Sequence, residues 1–135
     1  MTIGTKLFQK MISFGDSPAI RLGDQTISYK ELNYRSLQLA TLVKQKNIHN
    51  KSVGIIGQRS FSTYIAIVGS VYSGQTYIPI NIKYTKNTIL KILEDSDIES
   101  LIGDYTSLKN LVEVIRSSRV KFIIIPDEKV LDKNV

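Results

Sequence analysis

Few residues in this chain have the type and spacing that chemistry requires. Asp104 and Asp127 each follow a predicted strand, where open α/β folds place functional groups, and paired carboxylates are a means of holding Mg²⁺. The acidic pair that a phosphoacceptor site needs after its first strand is missing, so both read as turn-forming aspartates. Arg59 and Ser60 stand at a predicted helix start, where free backbone N–H groups can hold an anion. The plainer reading is a helix capped by Ser60 beside a solvated arginine. His49 lies in the polar loop Asn47–Lys51, without a carboxylate or second ligand nearby in sequence, and reads as solvated. Gly54-Ile55-Ile56-Gly57 lacks the spacing of a dinucleotide fingerprint, and no Gly-x-x-x-x-Gly-Lys-Ser/Thr run occurs. No residue is therefore assigned a catalytic, cofactor-binding or metal-binding role.

The elements that would position any site can be read in order. Ile3 to Phe14 spaces Ile3, Leu7, Met11 and Phe14 for one helical face. Ala19–Leu22 and Gln25–Ser28 flank Gly23-Asp24, which predicts a β-hairpin. Ser28 and Glu31 have capping-box spacing and start a helix that runs to about Lys46, with Leu32, Leu39, Ala40 and Val43 inside and Asn47 as its stop. Val53–Ile56 is a short buried strand. Phe61–Ser73 is a helix apolar on most sides, closed by Gly74 in a left-handed turn. The strand Thr76–Ile80 contains Pro79, which cannot donate to a ladder, so this strand belongs at an edge or where pairing ends.

Thr85 caps the next helix, through Asp95, with Ile89, Ile92 and Leu93 inside. Ser100–Ile102 is a strand. Leu108, Leu111, Val112 and Ile115 keep the spacing of a further amphipathic helix, and Val120–Ile125 is a strand stopped by Pro126. Strand and helix thus alternate after the hairpin. Short apolar strands separated by helices predict an α/β fold: an open, mostly parallel sheet with helices on both faces. Residues 1–126 form one domain in this reading, and 127–135 a polar tail.

The 135 residues, 42% of them hydrophobic, suffice for one core. The longest uninterrupted apolar candidate, Tyr64–Val68, is far short of the ~20 residues of a membrane span, and the N-terminus reads as no secretory signal. The lack of cysteine excludes disulfides and thiolate chemistry and fits a cytoplasmic protein. A net charge of +6 raises the question of nucleic acid, but the basic residues are spread along the chain without a basic helical stripe. Neither a nucleic-acid partner nor a membrane is expected.

The stretch Val71-Tyr72-Ser73-Gly74-Gln75-Thr76-Tyr77-Ile78-Pro79-Ile80-Asn81 resembles the second core motif of the adenylate-forming superfamily, in which a helix ends at a glycine turn and enters a Tyr-x-Pro strand. Ile27-Ser28-Tyr29-Lys30-Glu31-Leu32 resembles the first core motif, at the family's spacing ahead of the second. The resemblance runs from Ser17 to Asp104 and is strongest to the amino-acid adenylation domains of nonribosomal peptide synthetases. Arg59-Ser60 and Leu93-Glu94-Asp95 also resemble family positions. The chain departs from the pattern at Asn81-Ile82, where the family usually has Asp-Pro, at Tyr84-Thr85, where it often has Tyr-Pro, and at Thr88, where arginine is frequent.

The resemblance implies the first subdomain of an enzyme that joins a carboxylate, here an amino acid, to ATP with Mg²⁺ and passes the acyl group to a carrier-protein phosphopantetheine thiol. The family's phosphate loop, ribose-binding aspartate and catalytic lysine have no counterpart in this sequence. The piece is therefore expected to hold no cofactor and to be inactive alone, with the remainder of the enzyme as its partner. It is also expected to self-associate through a bare sheet edge and the helix Phe61–Ser73. The alternatives are a stand-alone α/β module that docks another chain, and an unrelated α/β nucleotide-binding domain.

Overall fold

The computed structural model describes residues 2–47 and 50–126, together with the backbone of 130–132. Helix α1 (Ile3–Phe14) leads into a hairpin of β1 (Pro18–Leu22) and β2 (Gln25–Ser28), and α2 (Tyr29–Lys46) follows. Then come β3 (Ser52–Ile56), α3 (Phe61–Tyr72), β4 (Thr76–Ile80), α4 (Lys86–Asp95) and β5 (Ser100–Gly103). The chain continues through α5 (Tyr105–Leu108), a 3₁₀ turn (Lys109–Leu111), α6 (Val112–Ser117), β6 (Phe122–Ile124) and β7 (Val130–Asp132).

The main sheet has the order β4-β3-β5-β6-β7, with β3, β4, β5 and β6 parallel and β7 antiparallel to β6. Alternation along β3 explains the layers. Val53 and Ile55 face one core with Met11 of α1, Leu39 and Val43 of α2, and Ile65 and Ala66 of α3. Ile56 faces the other, with Ile89 and Leu93 of α4 and Val114 and Ile115 of α6. Each fully buried Ile or Leu contributes about 1.5–3 kcal/mol, so both helical layers are held by the same sheet. The open, mostly parallel α/β sheet expected from sequence, preceded by its hairpin, is what forms.

The helix ends follow their sequence signals. Ser28 Oγ accepts the Glu31 N–H at 3.0 Å, and Ser60 and Thr85 cap α3 and α4 in the same way. Helix α3 closes with Gly74 at φ 73°, while its N–H reaches Val71 O and the Gln75 N–H reaches Ser70 O. Helix α4 closes with the same pair of bonds around Asp97, a non-glycine residue held at φ 51°.

Three expectations need correction. Val112 is 41% exposed, while Val114 is buried in its place. The 3₁₀ turn advances the chain three residues per turn, which rotates Val112 off the face that a continuous helix would give it. In α1 only Met11 is buried, and Ile3 and Phe14 are exposed. The Phe14 ring instead lies 5.1 Å from that of Tyr29. Within the segment read as a polar tail, Val130–Asp132 adds the antiparallel strand β7.

Candidate functional site

Ligands of open α/β sheets bind outside the carboxyl ends of the strands, where the strand order reverses. Here that point lies between β3 and β5, because the chain goes from β3 to β4 on one side and then to β5 on the other. The residues that leave these strands are Gly57 and Asp104. Asp104 caps α5: its carboxylate accepts the Ser107 N–H at 2.7 Å and the Ser107 hydroxyl at 3.1 Å. A Cβ on Gly57 would lie 2.7 Å from both Asp104 Oδ2 and Thr63 Oγ1. A Cβ on Gly103 would run into the Ile56 carbonyl oxygen. The reversal point is thus filled by the chain's own caps.

Arg59 and Ser60 lie at the start of α3. Ser60 Oγ takes the Thr63 N–H at 3.2 Å, and the Thr63 hydroxyl donates to Gln58 O at 2.7 Å. The capped-helix reading of Ser60 is the arrangement present. His49 and Asp127 lie outside the described residues, so no pairing of Asp104 with Asp127 is drawn. Among the described residues no group of three His, Cys, Asp or Glu side chains could hold a metal ion. A nucleotide phosphate or Mg²⁺ brought to the reversal point would have to take Asp104 away from its own helix. The residues present do not fit either group, and no chemical step is derived through them.

Beside the filled point lies an open groove of about 440 Å³, between α3 and the β4–α4 connection. Arg59, Tyr64, Ile67, Tyr77, Pro79 and Tyr84 line it. Asn81 borders it and turns the chain by accepting the Lys83 N–H at 2.9 Å, at a position where the resembling motif carries aspartate. β4 is the edge strand, as Pro79 requires.

The opposite end of the sheet holds the polar centre that sequence reasoning missed. Asn47, read only as a helix stop, is 3% exposed. Its amide N–H groups face Asn50 O, Ser52 O and Gln75 Oε1 at 2.9–3.2 Å, and its oxygen accepts the buried Ser100 hydroxyl at 2.9 Å. One side chain thereby fastens the starts of β3, β4 and β5. Nearby at the end of α3, the Tyr72 hydroxyl donates to Asn33 Oδ1 at 2.7 Å, and burial pushes its pKa up to about 12. Both are structural roles, and only the run of Asn, Gln and Ser just before strands hinted at them.

These features define a doubly covered α/β scaffold whose strand ends are occupied by its own side chains. A family model for AMP-binding enzymes matches residues 7–134, and the chain belongs to that family. It is 32% identical over 129 residues to tyrocidine synthase 1 of Brevibacillus parabrevis, covering 94% of this chain and 12% of that protein. It is 39% identical over 103 residues to bacitracin synthase 1 of Bacillus licheniformis, covering 75% of this chain and 2% of that one. The fold matches coronafacic acid ligase from Pectobacterium brasiliense with a TM-score of 0.83 at 20% identity, covering 96% of this chain and 26% of the ligase. The chain therefore spans a small part of each relative. Among the described residues no helix is long and apolar enough to cross a membrane.

Proposed function

We propose that these residues form the first structural layer of an ATP-dependent enzyme that adenylates a carboxylate, most simply an amino acid, in a peptide synthetase. The observation that carries this reading is the family match over residues 7–134. The identity to tyrocidine synthase 1 and bacitracin synthase 1 supports the peptide-synthetase type. ATP and Mg²⁺ are the cofactors of the whole enzyme in this reading, and a carrier-protein phosphopantetheine thiol is the acceptor. The setting is cytoplasmic, where ATP is available. A self-standing docking module is not favoured, because the relatives are synthases.

The role of this layer is to position, not to react. The filled reversal point supports that assignment, since Asp104 is engaged at its own helix. Transition-state charge on a transferring phosphate needs a preorganised clamp of cations and backbone donors, which these residues do not assemble. The test is exchange of pyrophosphate into ATP by this polypeptide alone, with each amino acid and with common aryl and fatty acids. No substrate-dependent exchange is expected, and robust exchange would overturn the assignment.

Self-association belongs to the same reading. The open edge of β4 and the apolar helix α3 offer surface to a second copy. The net charge of +6 opposes that contact, so pairing is expected to be weak and to strengthen as salt screens the repulsion. Sedimentation equilibrium across a salt series measures it.

A further inference from the structure

We propose that the groove beside β4 docks an acidic, partly apolar segment of another protein chain. The lining is the first reason. Tyr64, Tyr77, Tyr84 and Arg59 surround Ile67 and Pro79, and tyrosine and arginine are the residues that dominate the desolvated centres of protein interfaces. Tyr77 and Tyr84 are 38% and 47% exposed, so their rings have surface still to bury.

Charge supplies the second reason. From Leu32 to Leu93 the sequence has no aspartate or glutamate, yet Arg59 lines this groove and Lys83 and Lys86 stand close in sequence to its lining residue Tyr84. The ion pairs of the described residues lie elsewhere: Arg119 with Asp97, Lys121 with Glu99 and Arg116 with Glu113. Asp104, behind the lining residue Gly57, is engaged with Ser107, and Arg59, Lys83 and Lys86 take part in none of these pairs. A partner that covers them without supplying carboxylates would bury like charge against like.

The ladder decides how such a partner sits. The Thr76 N–H donates to Lys51 O, toward β3. Backbone groups alternate along a strand, so those of Tyr77 and Pro79 face the open edge. Pro79 has no N–H, and an added strand would lose a bond there. The partner is therefore seated by side chains, with apolar groups over Tyr77 and Pro79 and a carboxylate toward Arg59. A twofold pairing of this face would instead bring the same cations together. A nucleic acid would draw its affinity from a row of phosphate contacts. This groove is instead lined mainly by tyrosine, isoleucine and proline, with Arg59 as its one lining cation and Lys83 and Lys86 beside it only in sequence.

The proposal stands apart from the adenylation reading, since a failed docking test leaves the exchange result untouched. The probe is a synthetic amphipathic helix of about 18 residues, leucine on one face and glutamate on the other, followed by fluorescence anisotropy. The same peptide with lysine for glutamate, and a thymidine oligonucleotide, serve as comparisons. The acidic peptide should bind saturably and weaken as salt rises, opposite to the trend for self-association. Arg59→Glu and Tyr77→Ser should each lower its affinity about tenfold, with Tyr84→Ser as a second aromatic variant should Tyr77→Ser fail to fold. Lys44→Glu, the same charge change on exposed α2 surface, should alter it less than about twofold. Equal losses from Lys44→Glu and Arg59→Glu would reduce the effect to net charge and overturn the proposal. So would tighter, groove-dependent binding of the oligonucleotide, or a groove-dependent dimer that the peptide does not displace.

Discussion

At the amino ends of β3, β4 and β5 a single buried amide, Asn47, bonds to groups from all three entries, and water is excluded by the packing around it. At the carboxyl ends of β3 and β5 no polar side chain among the described residues spans the strands in this way. Gly57 and Gly103 let Asp104, Thr63 and the Ile56 carbonyl close in, and each helix start is capped within its own turn. The first arrangement depends on hydrogen bonds between residues distant in sequence, the second on the absence of side-chain volume. The end at which α/β sheets ordinarily bind ligands is thus packed shut at its centre, and what stays open is the tyrosine groove at the β4 edge. A layer built this way supplies support and surface.

Breaking the amino end should have the largest effect. Asn47→Ala strands the buried Ser100 hydroxyl and leaves several strand-entry acceptors unmet, and it should cost about 3 kcal/mol in a urea titration. A loss below about 1 kcal/mol would mean that Asn47 is not the fastener. Gly57→Ala tests the carboxyl end by adding volume where Asp104 and Thr63 already sit, and about 2 kcal/mol of destabilisation is expected. If the ends are independent, the double variant should show the sum of the two losses to within about 0.5 kcal/mol.

Smaller effects separate capping from burial along α2. Ser28→Ala removes the cap on the Glu31 N–H and should cost about 1 kcal/mol. Ser36 is fully buried with an unpartnered hydroxyl, so Ser36→Ala should leave stability unchanged or raise it slightly. Equal midpoints for the two variants would contradict the assigned helix start.

Alkaline pH probes the amino end once more. Burial holds the Tyr72 phenol neutral, raising its pKa from 10.0 to about 12. For an acid raised in the folded state, the contribution is intact below the unfolded value and is lost as pH climbs from there through the folded value. Stability should therefore fall more steeply between these two values in the native chain than in Tyr72→Phe. Parallel curves would show that Tyr72 does not titrate differently on unfolding.

Much of the frame was legible because local chemistry dictates it. Gly74 and Pro79 marked the α3 turn and the edge strand, and Ser28, Ser60 and Thr85 marked helix starts. Asn47 was legible only as a stop, because its partners Gln75 and Ser100 are distant in sequence. The phase slip that exposes Val112 comes from a 3₁₀ turn without a glycine or proline to announce it. Of the candidate site residues, Ser60 and Asp104 proved to be caps, which their residue types allow as readily as ligation. The tyrosine groove is assembled from α3, β4 and the loop beyond, and periodicity within any one of them does not reveal it.

The central claim is that these residues carry support and no nucleotide site. Its most direct test is an amide ¹H–¹⁵N NMR titration of the chain with ATP and Mg²⁺, following Gly57, Gly103, Asp104 and Thr63. The expected result is that these resonances stay in place up to about millimolar nucleotide, the range of weak encounters. Saturable shifts centred on the carboxyl ends of β3 and β5 would contradict the claim.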